Sequence, residues 1–375
     1  MNEIALYVHI PFCIKKCFYC DFNSFRFDIS LFHRYRSALM KEIELYSNKN
    51  YIIESIYIGG GTPSIFPAED IEEIINALSS SGEVKDDIEF TIEVNPGTID
   101  REKLERYRAL GINRVSIGVQ TLRREELTTL GRIHTSEEAL CSIQLAKDAG
   151  FTNINVDLIY GIPGQTLESW KDTLKRVLDL DITHISIYGL MYEPGTPLYK
   201  SLIRGEVSPI PEDTEVEMFN VAQDILRDYS FFWYELSNYA REGYECRHNI
   251  TYWEGKDYLG IGSSSHSLIE NTRYSNTPNI EAYIEILSKN KTPRVWIEKL
   301  TPLERARELI MLGLRMKKGV SLSNIFNRTG VDVKEIFAKN IEKLISLGLV
   351  NYDGDRLTLT EYGRLLGNEV FVEFC

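Results

Sequence analysis

The chain has 375 residues, 43% of them hydrophobic and 26% charged, the proportions of a globular protein long enough for roughly two or three domains. Its formal net charge of −13 argues against a nucleic-acid partner, which needs a positive field. There is no apolar run of bilayer length, no secretory leader and no prenylation box at Cys375, so a cytoplasmic protein is expected.

From residue 4 to about 190, strand-like and helix-like segments alternate. Strands are expected at Ala5–His9, Ser55–Ile58, Ile88–Val94, Arg114–Gly118, Asn153–Leu158 and Ile185–Tyr188. Between them, helices are expected at Ile29–Tyr46, Ala68–Leu78, Arg101–Ala109, Ser136–Ala149 and Leu167–Leu178. This alternation predicts an α/β fold with a parallel sheet, either open and doubly wound or a partial TIM-like barrel. In both, ligand residues gather at the C-terminal ends of the strands. His9 and a group of cysteines follow the first strand, and Gly59-Gly60-Gly61-Thr62-Pro63 the second. Glu93 ends the third, Gln120 follows the fourth and Asp157 ends the fifth. Buried strands seldom end in such groups without partners, and five in register predict one site.

Residues 191–300 are less regular. A helix is expected at Glu212–Tyr229, a strand at Phe232–Leu236, and loop from Ser237 to Thr277. Beyond Leu303, helical segments Leu303–Arg315, Ser323–Thr329 and Val333–Leu347 lead into a hairpin over Leu349–Leu359, turning at Asp353-Gly354-Asp355. Three helices and a hairpin predict a winged-helix-like module. Its 11 Lys and Arg against 10 Asp and Glu from 303 to 375 offer no phosphate-binding surface, so capping or interaction is expected of it. The expected domains are 1–230, 231–300 as an irregular α+β extension, and 301–375.

Cys13, Cys17 and Cys20 form a C-x3-C-x2-C loop. Three thiolates on one tight loop suit three irons of a cubane cluster and leave the fourth iron open for a ligand. A disulfide framework is the first alternative, but Cys141, Cys246 and Cys375 are scattered. A zinc site with His9 as a fourth ligand is the second.

The cysteine loop, with Tyr19 before its third cysteine, and the glycine-rich second-strand segment together resemble the radical S-adenosylmethionine (SAM) superfamily. The resemblance implies a [4Fe-4S] cluster on Cys13, Cys17 and Cys20, an electron donor, and SAM cleaved to a 5′-deoxyadenosyl radical. It implies a partial (β/α)6 barrel for residues 1–230. Gly60 and Gly61 would let the backbone approach SAM, with Thr62 beside them. Glu93 would pair with the ammonium group, Arg132 with the carboxylate, and Gln120 and Asp157 with the ribose hydroxyls. Tyr7 and Tyr19 would face the cofactor.

Tyr7-Val8-His9-Ile10-Pro11-Phe12-Cys13, Gly118-Val119-Gln120-Thr121 and the run from Asp157 to Thr166 narrow the resemblance to the coproporphyrinogen III dehydrogenase group. That group holds oxygen-independent decarboxylases of porphyrin biosynthesis and haem chaperones. Phe22 stands where the decarboxylases carry a further cysteine, and twelve residues precede Cys13 where they have a long extension. His248-Asn249-Ile250-Thr251-Tyr252-Trp253 matches the H-N-x-x-Y-W motif of the chaperone branch. A histidine can ligate haem iron, Asn249 can orient it or bond a propionate, and Tyr252 and Trp253 offer flat apolar faces. The resemblance thus implies a chaperone that takes haem and passes it to an acceptor protein. The decarboxylase and a radical SAM enzyme on another substrate stay as alternatives. A homodimer and membrane association through the acceptor stay open.

Overall fold

The computed structural model describes residues 2–47, 49, 51–78 and 82–375. β1 (Glu3–Ile10) leads to a short parallel pair, β2 (Phe12–Cys13) and β3 (Phe25–Arg26), that brackets the cysteine loop. Then come α1 (Ile29–Glu44), β4 (Tyr51–Gly60), α2 (Ala68–Leu78), β5 (Gly82–Val94), α3 (Arg101–Ala109) and β6 (Arg114–Gln120). They are followed by α4 (Arg124–Leu130), α5 (Ser136–Asp148), β7 (Asn153–Tyr160), α6 (Leu167–Leu178) and β8 (His184–Gly189). β1 and β4 to β8 pair in parallel in chain order, the (β/α)6 partial barrel expected. α4 is an addition; its seven residues are too few for a helical period to stand out.

The strands alternate strictly. Ile4, Leu6, Val8 and Ile10 of β1 join the main core, as do Ile56 and Ile58, Phe90 and Ile92, Val115 and Ile117, Ile154 and Val156, and Ile185 and Ile187. The residues between them are polar: Tyr7 and His9, Ser55 and Tyr57, Glu89, Thr91 and Glu93, Arg114 and Ser116, Asn155 and Asp157, His184 and Ser186. Parallel strands covered on both faces usually read as continuous apolar runs. Here the second face is polar and still largely buried, which marks it as the inner wall of a site.

The stretch after β8 holds α7 (Pro197–Ile203), α8 (Glu212–Asp228), β9 (Phe232–Glu235), β10 (Asn238–Ala240), α9 (Arg247–Trp253) and β11 (Tyr258–Ile261). β12 (His266–Ile269), β13 (Thr272–Asn276), α10 (Ile280–Ser288) and β14 (Arg294–Lys299) complete it. The loop expected from Ser237 to Thr277 is instead four strands and a helix. β11 joins β1 in parallel, β12 to β14 continue as an antiparallel meander, and β10 closes on β8. One sheet of twelve strands results, in the order β14-β13-β12-β11-β1-β4-β5-β6-β7-β8-β10-β9. The strands in this stretch, β10 to β13, are only three to five residues long, too short for an apolar period to stand out.

A buried carboxylate ties the meander to the barrel. Glu42 of α1 accepts from the Gly262 N–H (2.8 Å), the Asn276 amide (2.6 Å) and the Tyr283 hydroxyl. Burial pushes its carboxyl up to about 7, against the pull of those donors. Tyr35, two turns earlier on the same face of α1, donates to the His9 carbonyl (2.7 Å) and accepts from the Ser263 N–H (3.1 Å).

The C-terminal module has its own core, centred on Leu309, Ile341, Leu357 and Phe374. It contains α11 (Pro302–Leu314), β15 (Val320–Ser321), α12 (Leu322–Thr329), α13 (Val333–Ile336), α14 (Ala338–Ser346), β16 (Val350–Tyr352), β17 (Arg356–Leu359), α15 (Glu361–Leu365) and α16 (Gly367–Val372). β15, β17 and β16 form the wing sheet. The single helix expected over Val333–Leu347 is two, broken where Phe337 turns into the core. Among the described residues no helix is long and apolar enough to cross a membrane.

Removing the Glu42 carboxylate leaves the buried Gly262 N–H and Tyr283 hydroxyl without their acceptor, while the Asn276 amide keeps the Gly262 carbonyl and the Ser265 hydroxyl. Glu42→Ala is expected to lower the unfolding free energy by about 3 kcal/mol, read from urea denaturation; a loss under about 1 kcal/mol would show that the node is not needed.

Candidate functional site

One cavity opens at the C-terminal ends of β1 and β4 to β7. Its wall includes Cys13, Cys17, Tyr19, Cys20, Gly60, Gly61, Thr62, Glu93, Gln120, Arg132 and Asp157. Every residue expected at the cluster or SAM lies there except Tyr7, whose hydroxyl turns to His9 Nδ1 (3.0 Å) below the cavity.

The cysteine loop is held by backbone bonds and by two aromatic anchors. The Phe18 N–H donates to the Leu130 carbonyl (2.9 Å), and the Phe18 carbonyl accepts from Leu198 (2.8 Å). Phe18 and Tyr19 pack on a small apolar cluster of Leu130, Ile159, Ile162, Leu190 and Leu198. The Phe12 carbonyl accepts from the Thr62 N–H (2.8 Å), which locks the loop to the glycine segment. The glycines serve this internal contact. A Cβ on Gly60, at φ +112°, would meet the His9 ring at 2.5 Å, and one on Gly61 would meet the Phe12 carbonyl oxygen at 2.5 Å. The expectation that they clear space for a ligand is thus supplemented by a nearer cause.

An arc of side chains joins two of the cysteines. The Thr62 hydroxyl points to Cys13 Sγ (3.7 Å) and accepts from the Asn95 amide (2.6 Å). Asn95 Oδ1 accepts from Arg132 (2.7 Å), whose other amino group lies 3.5 Å from Cys17 Sγ. Arg132 also donates to the Gly118 carbonyl (2.5 Å), and its Nε is buried without a partner. It is not a helix-surface charge; it follows α4 and enters the cavity with hydrogen-bonding capacity to spare.

The donor set fits an iron–sulfur cluster. All six cysteines are free thiols, so the disulfide alternative falls. Both ring nitrogens of His9 are engaged, by Tyr7 and by the Asn23 carbonyl (3.1 Å). With both His9 nitrogens taken, the zinc alternative loses its expected fourth ligand. Burial raises the Cys13 thiol, and pushes that of Cys20 up to about 11. A metal bound there would take the place of their protons.

The cavity's inner end is acidic. Glu93 accepts from the Gly60 N–H and the Tyr57 hydroxyl, both at 2.9 Å. Burial, then the nearby Asp157, push its carboxyl up to about 7. Asp157 accepts from the Asn155 amide (2.8 Å) and the Ser116 hydroxyl (3.3 Å), and burial raises it as well. Two carboxylates that resist ionisation together call for a cation and hydroxyl donors, which suits an amino acid joined to a ribose. Gln120 sits at φ +69°, a strained turn for a non-glycine residue, at the edge of this space.

The motif helix α9 lies apart from this cavity, across the N-terminal halves of the strands. Glu89 of β5 accepts from the Arg247 and His248 N–H groups, both at 2.9 Å, and so caps the helix from outside. His248 is buried. Its Nδ1 meets the Ser55 hydroxyl (2.9 Å) and its Nε2 the Tyr252 hydroxyl (2.8 Å). Burial, then Arg114, push the imidazole down to about 3, so it is neutral with both nitrogens committed. Asn249 is half-buried, and Trp253 faces the C-terminal module.

Asn95 and His134 escaped the sequence reading. Asn95 opens an Asn-Pro-Gly turn, which reads as punctuation. His134 bonds the Val119 carbonyl (3.1 Å) and lines the cavity beside Arg132. Breaking the arc at its centre tests it: in Asn95→Ala, iron taken up on anaerobic reconstitution is expected to fall by about half or more, while Cys141→Ser, an exposed thiol elsewhere, keeps the wild-type value. Full iron loading in Asn95→Ala would show that the arc does not support the cysteines.

Residues 7–177 match the family model of the Radical SAM superfamily, and residues 300–366 that of the HemN C-terminal domain. Heme chaperone HemW of Bacillus subtilis is 33% identical over 99% of this chain and 98% of its own. Heme chaperone HemW of Lactococcus lactis is 34% identical over 99% and 97%. Among solved structures, coproporphyrinogen III oxidase (HemN) from Escherichia coli, a radical SAM enzyme, superposes with a TM-score of 0.88 at 26% identity, covering 100% of this chain and 90% of its own. The chain belongs to the radical SAM superfamily and, within it, to the family of the HemW haem chaperones.

Proposed function

We propose that this protein is a cytoplasmic haem chaperone. It holds a [4Fe-4S] cluster on Cys13, Cys17 and Cys20 with SAM beside it, takes up haem at the α9 end, and passes it to an acceptor protein. The observation that carries this reading is the likeness to HemW chaperones along the whole chain. Phe22 supports it, since it stands exposed at the cavity mouth where a decarboxylase would offer a further thiol.

When bound, the cluster supplies an electron to SAM and SAM supplies the adenosyl radical. The chain's own residues do the rest. Arg132 presents a guanidinium for the SAM carboxylate, and Glu93 an acceptor for the ammonium group. Gln120 and Asp157 offer partners to the ribose. Tyr19 and Phe18 seat the loop. Lys15 and Lys16 give the cysteine loop a positive rim, suited to an electron donor of negative charge.

His248 can become a haem ligand when α9 turns away from Ser55 and the Tyr252 side chain, which travels with the helix, releases Nε2. Haem uptake through His248 is therefore expected to involve movement of this helix rather than docking onto a preformed ligand.

A cation binds the ionised form of Glu93. SAM affinity is then full above about pH 7 and declines as pH falls through that value, because the carboxyl must first lose a proton. Glu93→Gln is expected to weaken SAM and flatten the dependence in calorimetric titrations of reconstituted protein; an unchanged pH profile would remove Glu93 from the site.

Anaerobic titration with haem, followed in the Soret band, tests the function, with coproporphyrinogen III turnover assayed on the same sample. Stoichiometric haem binding without turnover is expected, weakened by His248→Ala with the cluster spared. Turnover without haem binding would replace the chaperone by the decarboxylase.

A further inference from the structure

A second cavity, of about 790 Å³, lies between the C-terminal end of α9 and the module that begins with α11. Trp253 forms one wall and Met316 another. Lys318, Arg328 and Arg356 bring three cations from the turn before β15, the end of α12 and the start of β17. The Trp253 indole Nε1 is buried with no partner, and the Arg315 guanidinium lies 5.3 Å from the centre of its ring.

The two arginines are engaged with backbone carbonyls only, and Lys318 with a shared carboxylate. Arg328 donates to the carbonyls of Glu254 (2.8 Å) and Gly255 (2.5 Å), and Arg356 to the carbonyl of Lys318 (2.9 Å). Lys318 shares the Glu254 carboxylate with Lys256. Arg305 donates to the same Gly255 carbonyl. The crowding shows in the basicities: burial and then Arg328 push Arg305 down to about 10, and burial lowers Arg328. A helix C-terminus offers only partial negative charge to such a group of guanidiniums. The cleft is lined by four cations, Lys256, Lys318, Arg328 and Arg356, against three carboxylates, Glu3, Glu254 and Asp257, a positive balance in a chain of net charge −13.

We propose that this cleft is the seat of a planar tetrapyrrole dicarboxylate, with Lys318, Arg328 and Arg356 taking the two carboxylates and Trp253 packing on the ring. The assignment rests on the haem-chaperone reading and deepens it, since it gives the cargo a docking place that His248, buried in the barrel, does not offer. Carboxylates that draw Lys318 from Glu254, and Arg328 from the Glu254 and Gly255 carbonyls, also free the C-terminal end of α9. Filling the cleft thereby loosens the helix that keeps His248 inside.

The test compares haem affinity, read in the Soret band, in two arms. One is the Lys318→Gln, Arg356→Gln double variant, both side chains being exposed. The other is wild-type protein titrated with haem dimethyl ester, which keeps the ring and loses the charges. Each arm is expected to weaken binding by about tenfold, with iron–sulfur absorbance unchanged in the variant. A loss below about fivefold in either arm overturns the cleft. Wild-type protein that takes up no haem overturns the chaperone reading itself, which separates the two failures.

Discussion

The buried polar inner face of the parallel sheet is the constraint on which the rest depends. β1 and β4 to β8 send their alternate residues to that face, and each group there must find a partner. In the lower half most of the groups satisfy one another, with Arg114 Nε and the Thr91 hydroxyl left over. Asn155 bonds His184 (2.6 Å), His184 bonds Tyr234 (2.8 Å), and Tyr234 accepts from the Cys246 N–H (3.2 Å). Glu89 and Ser55 are taken by α9. Arg114, wholly enclosed, has Cys246 and Glu89 around it. Helix α9 is in this sense the closing partner of the barrel floor.

In the upper half the network does not close. Glu93 and Asp157 remain with too little compensating charge, and Arg132 keeps an unused Nε. The difference between the halves separates a plug from a site. A ligand with a carboxylate, an amine and hydroxyls complements what is left over at the top, where the three thiols of the cysteine loop line the same space. The same residues would be poor choices for stability alone, since buried carboxylates of this kind weaken a fold unless something binds them.

The barrel could be read from the sequence because its strands and helices each carry a strong local period. β5 shows why the site could be read too: Glu89-Phe90-Thr91-Ile92-Glu93 alternates so plainly that the polar positions declare a second face. The meander could not, because β11 to β13 are held by Ser265, Asn276 and the distant Glu42, partners that no local pattern reveals. Asn95 was hidden for a different reason. Its value lies in bridging Thr62 to Arg132, residues 33 and 37 positions away, and distance in sequence is where pattern reading ends. His248 shows the converse: its motif was legible, but the burial of both its nitrogens was not.

The two ends of the barrel are joined by aromatic rings. The Tyr57 hydroxyl holds Glu93 at the upper cavity, while the Tyr57 ring packs on His248 with centroids 5.1 Å apart. Tyr7 lies beside both rings, 6.1 Å from Tyr57 and 6.5 Å from His248, and carries its own hydroxyl to His9 under the glycine segment. Any movement of α9 that withdraws His248 opens space against Tyr57 and Tyr7 together. Closely packed interiors do not leave such space empty, so the residues that hold Glu93 and His9 must adjust with it. The cofactor cavity and the motif helix are therefore the two ends of one packed column, whose middle is the Tyr7 and Tyr57 rings.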